Sequence, residues 1–326
     1  MAREMMYGEA IATAIMEEME RDSSVVFYGQ NLAMTERDPF LRKFGKKRVR
    51  IAPISETAET GVAVGAAMTG LRPIVELWMS EFMLVAFDEL INEAPRLRYM
   101  SGGQVKVPLV FKAGYGFAAG WAGQHSNCVY HTMMGVPGLK IALPSTAGDA
   151  KGLMAAAIRD DNPVVYLHHY MLTLDKGPVP EGDHVVPFGV ADIKREGTDV
   201  TIVATGWMVK KSLAAAELLA QQGVSAEVVD PRTLAPLDVE TILKSVKKTG
   251  RLVLVDQATR HASAAAIIAA EMAEHGLKAL KAPVKMVTAL DTSIPFSEPL
   301  ETYVLPSEEK IVAAVKSVIA KQAATV

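Results

Sequence analysis

Short apolar runs alternate with stretches of helical periodicity along almost the whole chain, the pattern of a parallel α/β sheet with helices on its faces. The first half predicts helices over 7–20, 41–44, 56–68, 82–99 and 147–158. Its strands are predicted over 25–28, 49–52, 73–77, 107–112, 140–143 and 163–168. Gly70 stands just past the third of these helices, where a helix C-cap is expected. Residues 114–123 form a glycine-bearing loop. Residues 171–186, with Pro178, Pro180, two glycines and mixed charge, show no period and read as an interdomain linker. Beyond them the pattern is β-α-β-α-β-α-β-α. The strands are 199–204, 225–229, 251–255 and 284–289, and the helices 208–222, 239–248, 264–275 (with Ser263 as N-cap) and 308–321.

At 326 residues two domains are expected, divided as 1–180 and 181–326. Half of the residues are hydrophobic and 22% are charged, enough for two ordinary cores. A net charge of -3 argues against a nucleic-acid or anionic-membrane surface. Cys128 is the single cysteine, so there is no internal disulfide, which suits a reducing compartment. No run reaches the roughly 20 apolar residues of a membrane span, and the charged start Met1-Ala2-Arg3-Glu4 is unlike a secretion segment. The expectation is a soluble, cytoplasmic protein.

Familiar chemistries are missing. Gly114-Tyr115-Gly116-Phe117 is not followed by a helix start, so it is no dinucleotide fingerprint. There is no Walker loop, H-E-x-x-H, C-x-x-C or G-x-S-x-G. His168 and His169, adjacent on a strand, point to opposite faces and are poorly placed to chelate one metal. Gly148-Asp149-Ala150 is the nearest approach to the Gly-Asp-Gly segment that holds the diphosphate metal of thiamin enzymes, and it reads as a capped helix start.

Other segments carry a resemblance. Pro53-Ile54-Ser55-Glu56, Gly61-Val62-Ala63-Val64-Gly65-Ala66-Ala67 and Gly70-Leu71-Arg72-Pro73 come first. Tyr99-Met100-Ser101-Gly102-Gly103, Gln124-His125-Ser126 and Pro137-Gly138-Leu139-Lys140 follow. Asp149-Ala150-Lys151-Gly152-Leu153, Ala157 to Pro163, and Asp230 to Asp238 complete the series. In this order, over nearly the full length, the chain resembles the beta subunits of pyruvate, branched-chain 2-oxo acid and acetoin dehydrogenases. The resemblance implies an α/β fold of two domains: a parallel-sheet, pyrimidine-type domain that binds thiamin diphosphate, and a transketolase C-terminal-like domain.

It also implies roles. Glu56 matches the glutamate that hydrogen-bonds N1′ of the cofactor's aminopyrimidine, where a shared proton favours the imino tautomer needed for deprotonation of the thiazolium. Glu59, three residues on, reads only as an acid favoured by the helix dipole. Phe82 matches the aromatic packed on the aminopyrimidine, and His125 the histidine lining the substrate side. Leu109, Ala157, Ile158, Asp160 and Asn162 match positions where some members hold potassium, mostly through carbonyls.

An alpha subunit is implied as partner, supplying magnesium and the diphosphate contacts in a two-alpha, two-beta heterotetramer, with a lipoyl-bearing acyltransferase as acceptor. The alternatives are an acetoin dehydrogenase beta subunit, a split transketolase-like ketol transferase, or a non-catalytic scaffold. The sequence departs from the family at three places. Gln30 replaces a glutamate of an acidic chain between cofactors, although Asp88 keeps another member. The loop from Leu32 to Pro39 is short. Leu167-His168-His169-Tyr170 stands where an acid is commoner.

Overall fold

The computed structural model describes residues 2–30, 38–116 and 118–320. They fall into two compact units, Met1–Tyr115 with Thr132–Phe188, and Gly116–His131 with Gly189–Val326.

In the first unit β1 (Ala2–Met6) leads into α1 (Tyr7–Arg21), then β2 (Val25–Gly29), α2 (Pro39–Phe44), β3 (Val49–Ile51), α3 (Glu56–Met68), β4 (Arg72–Met79), α4 (Ala94–Met100) and β5 (Val110–Tyr115). The chain then passes through α5 (Ala122–His125), in the second unit, and returns as β6 (Lys140–Ala142), α6 (Ala147–Arg159), β7 (Val164–His169) and β8 (Lys176–Pro180). Within this unit the strands lie in the order β6-β7-β5-β4-β2-β3, and every neighbouring pair is parallel. Strands of such a sheet are covered on both faces, which is why all five residues of β2 are buried and uniformly apolar but for its glycine. Lys112 of β5 forms an ion pair with its register neighbour on β4, the half-buried Glu76.

Two expectations are corrected here. The helix predicted over 82–99 is broken into a 3-10 turn at Ser80–Leu84, a π-helical stretch at Glu89–Glu93 and then α4. Pro95 supplies no amide to the ladder, and the amide of Ala94 reaches back five residues to the Glu89 carbonyl. The segment read as a linker contains β8, paired antiparallel with β1 from Ala2↔Pro180 to Met6↔Lys176. A two-stranded ribbon has open edges, where the amides missing from Pro178 and Pro180 cost no ladder bond.

The second unit contains β9 (Asp192–Arg195), β10 (Val200–Ala204), α7 (Trp207–Ala220), β11 (Ala226–Asp230), β12 (Thr233–Ala235) and α8 (Val239–Thr249). It continues with β13 (Leu252–Thr259), α9 (Ala264–His275), β14 (Lys285–Ala289), α10 (Glu298–Val304) and α11 (Glu308–Ala320). Its sheet runs β14-β13-β10-β11-β9, parallel except for the edge strand β9. Alternate residues of each strand serve opposite faces. Val200, Ile202, Val228 and Val253 pack with α7 and α11, while Val203, Val229, Leu252 and Leu254 pack with Ile242, Val246, Ile268 and Met272 of α8 and α9. The eight elements expected in this half are all present. Ser263 caps α9 as expected; at α8, Asp238 accepts the Thr241 amide at 3.0 Å and Gly250 ends the helix with a φ of 76°.

Candidate functional site

In the first sheet the chain runs from β2 outward to β3, then returns to the other side of β2 as β4. A reversal of this kind opens a crevice at the carboxyl ends of the strands, the usual ligand position in open α/β sheets. The expected cofactor residues of this unit, Glu56 and Phe82, lie with Gln30 on the segments that leave these ends. Gln30 follows β2, Glu56 opens α3 after β3, and Phe82 sits in the 3-10 turn after β4.

Glu56 is half-buried in the first turn of α3, which begins without a side-chain cap on Ser55. Thr60 donates its hydroxyl to the Glu56 carbonyl at 2.7 Å, tightening that turn. Thr57, the next residue, donates to the carbonyl of Val85 at 3.0 Å, which ties the start of α3 to the turn that carries Phe82. Phe82 is itself half-buried.

The turn is reached through Trp78, whose φ of 56° is rare for a bulky residue. Tyr170 holds that bend by donating its hydroxyl to the Trp78 carbonyl at 2.7 Å. The Tyr170 ring lies over Gly114, where any Cβ would run into it. Beside it, burial and the Lys112 ammonium hold the His168 imidazole well below its ordinary range, so it is neutral. His169 is buried edge-on to Tyr115, with ring centroids 4.9 Å apart, and accepts the Met171 amide at 3.1 Å. The two histidines thus occupy separate environments.

Glu59 stands in the first turn of α3, as expected, but its burial is what sequence reasoning did not give: it is 4% exposed. Thr60, Ala63, Val64 and Ala67 are buried on the same side of α3, and the recurrence 59/60, 63/64, 67 is the signal that places Glu59 on the inner face. Neither of its oxygens, nor Nε2 of buried Gln30, has a hydrogen-bond partner among the described residues. Burial first, and the neighbouring Glu56 charge after it, push the Glu59 carboxyl up to about 7, partly offset by the Gln30 amide that faces it and by the Ser55 backbone. Asp88 is exposed, with Asn92 donating to it at 2.6 Å. The shortened 32–39 loop lies mostly outside the described residues.

His125 is placed by the second unit, at the end of α5, half-buried and edge-on to Trp121 at 6.0 Å. Its segment is fastened within that unit at three points. Gln257 donates to the Gly116 carbonyl at 3.1 Å, the Gly120 amide donates to Glu301 at 3.0 Å, and Tyr130 bonds the buried Asp256. A cavity of about 640 Å³ lined by Gly120, Trp207, Lys211 and Glu301 holds none of the expected site residues.

The five expected potassium residues gather near the end of α6. The Arg72 guanidinium reaches the carbonyls of Ile158 at 3.1 Å and Asp160 at 3.0 Å, so these two oxygens converge. The Ala157 carbonyl accepts the Asp160 amide at 3.4 Å and the Leu109 carbonyl the Val164 amide at 2.8 Å. The Asp160 carboxylate is taken by Lys140 and by Asn162. What remains for a cation is the second lone pair of backbone carbonyls, a donor set that suits an alkali ion.

Comparison with known proteins fits this geometry. Residues 3–173 match the transketolase pyrimidine-binding domain and residues 189–311 the transketolase C-terminal domain. A solved structure described as split gene transketolase, inactive beta4 tetramer, superposes with a TM-score of 0.81 over 96% of this chain and 98% of its own, at 24% identity. Fold and sequence together define a two-domain transketolase-type chain.

Three relatives match over nearly their whole lengths. The pyruvate dehydrogenase E1 component subunit beta of Rickettsia felis is 44% identical over 95% of this chain and 97% of that protein. The acetoin:2,6-dichlorophenolindophenol oxidoreductase subunit beta of Cupriavidus necator is 43% identical over 97% and 98%. The 2-oxoisovalerate dehydrogenase subunit beta of Bacillus subtilis is 40% identical over 96% and 98%. The chain belongs to this beta-subunit family of thiamin-diphosphate-dependent 2-oxo acid dehydrogenases.

Proposed function

We propose that this chain forms half of the active site of a 2-oxo acid dehydrogenase acting on a pyruvate-like acid, the other half coming from an alpha subunit in a two-alpha, two-beta assembly. The observation that carries this reading is the half-buried Glu56, set at the carboxyl end of the sheet and tied through Thr57 to the turn bearing Phe82. Thiamin diphosphate, when bound, supplies the carbon nucleophile and the electron sink for decarboxylation. Glu56 holds a proton at N1′ of its aminopyrimidine, Phe82 packs on that ring, and His125 orients or protonates the substrate side.

Support for a partner comes from large apolar side chains left in solvent around the same helix, Ile54, Val62, Leu84 and Val85. Magnesium and the diphosphate contacts are assigned to that partner, and a lipoyl-bearing acyltransferase to the acyl acceptor. Among the described residues no helix is long and apolar enough to cross a membrane.

A second reading, an acetoin dehydrogenase subunit, is favoured by the relative that carries acetoin in its name. Acetoin cleavage needs the same residues and releases acetaldehyde in place of carbon dioxide. Co-expression with the alpha subunit, followed by assay against a panel of 2-oxo acids, acetoin and sugar phosphates, separates the readings. Thiamin-dependent oxidation of a pyruvate-like acid with a lipoyl acceptor is expected. Turnover of acetoin alone selects the second reading, and ketol transfer without a lipoyl acceptor contradicts both.

Potassium at Leu109, Ala157, Ile158, Asp160 and Asn162 is proposed as a purely structural ion. The assembled protein should then unfold at a higher temperature in potassium chloride than in choline chloride of equal ionic strength. Equal midpoints would remove the ion from the account.

A further inference from the structure

We propose that Glu59 is a positioning residue for Glu56: its buried carboxyl, facing the amide of Gln30, sets where the proton of Glu56 resides. This deepens the reading of Glu56 given above and rests on it. Glu56 and Glu59 are three residues apart in one helix, so they are neighbours on its surface. Glu59 lies beneath solvent with both oxygens unpartnered among the described residues, as is Nε2 of Gln30. A helix seldom buries a bare carboxyl without using it, because removal from water costs more than an unpaired acid returns.

Most other charges near the helix are committed elsewhere or exposed, and none but Glu56 acts on the Glu59 carboxyl. On β4, Arg72 is held by Asp161 and Asp22, and Glu76 by Lys112. On the π-helical stretch Asp88 is bonded by Asn92, and Glu89 lies with its Cγ 3.8 Å from where a Gly61 Cβ would stand. Arg50 of β3 is exposed. Gln30, neutral at every pH, is the polar group from β2. Glu56 is therefore the charge with which Glu59 exchanges influence, and the influence is repulsive.

The consequence has a direction. Glu59 passes from neutral to charged near pH 7. Once charged, it opposes a second negative charge on Glu56, so the proton stays in the hydrogen bond to the aminopyrimidine. Turnover should rise as the pH passes through about 7. The same titration acts on stability. The folded carboxyl titrates at about 7 and the ordinary one at 4.5, so between these values the folded chain keeps a proton that the unfolded chain releases. That contribution is complete below the lower value and lost as pH rises through the upper one.

The test uses the assembled enzyme with Glu59→Gln, which keeps the volume and removes the titration, and Glu59→Asp, which restores it. Turnover is followed from pH 5.5 to 9, and thermal unfolding is measured at both ends. The inference expects the inflection near neutrality to vanish in E59Q and return in E59D, with the unfolding midpoint of E59Q falling less towards high pH than that of the unmodified protein. Active wild type with an unchanged E59Q profile overturns this inference alone. A wild-type assembly inactive on every 2-oxo acid and on acetoin overturns the reading of Glu56 with it, and an E59Q midpoint that tracks wild type at both ends shows that Glu59 does not titrate there.

Discussion

Glu56→Gln should lower turnover of the assembled enzyme by at least ~100-fold, the ordinary worth of a positioned acid–base group. Glutamine keeps the length and planarity of the side chain and still fits the first turn of α3. The Thr60 and Thr57 bonds, which use backbone oxygens and hydroxyls, are untouched by the change. What is lost is a group able to share a proton with N1′. The loss should therefore fall on kcat, with KM, cofactor affinity and assembly nearly unchanged. Steady-state kinetics beside sedimentation of the variant check this. A variant that keeps near-normal turnover would make Glu56 an ordinary helix-dipole acid, and one that fails to assemble would make it a structural group.

Much of this site was legible from the chain. Periodicity places α3 with the bounds the structure shows, and the family motif then picks Glu56 out of a first turn that also contains Glu59. Composition and pattern alone favour neither acid, because the helix dipole welcomes both. The burial of Glu59 goes unseen when charge is weighed before position, although the buried stripe of Ala63, Val64 and Ala67 continues straight through it.

Other parts were illegible for physical reasons. The break at Glu89–Glu93 keeps an apolar rhythm close to that of an α-helix, and only Pro95 hints at it. The β1–β8 ribbon joins chain segments far apart in sequence (Ala2 with Pro180, Met6 with Lys176), and two prolines disguise it. Nor does local pattern reveal that residues 116–131 belong with the second unit. That follows from long-range bonds such as Tyr130 to Asp256 and Gln257 to Gly116. The expected start of a helix at Gly148-Asp149-Ala150 is found in α6, where Thr146 accepts the Asp149 amide at 3.2 Å and donates to its carboxylate at 2.7 Å.

The central proposal is that the chain carries half of a cofactor site. The Asp149 carboxylate accepts the hydroxyl of Thr146, the N-cap of α6, at 2.7 Å. Under the proposed reading Glu56 and Phe82 engage the aminopyrimidine, and a ring contact with one hydrogen bond offers little affinity against the freedom lost on binding. Calorimetric titration of thiamin diphosphate with magnesium, into this chain alone and into the chain assembled with its alpha subunit, tests the claim most directly. Saturable binding by the assembly and none by the isolated chain is the predicted result; tight binding by the isolated chain would contradict it.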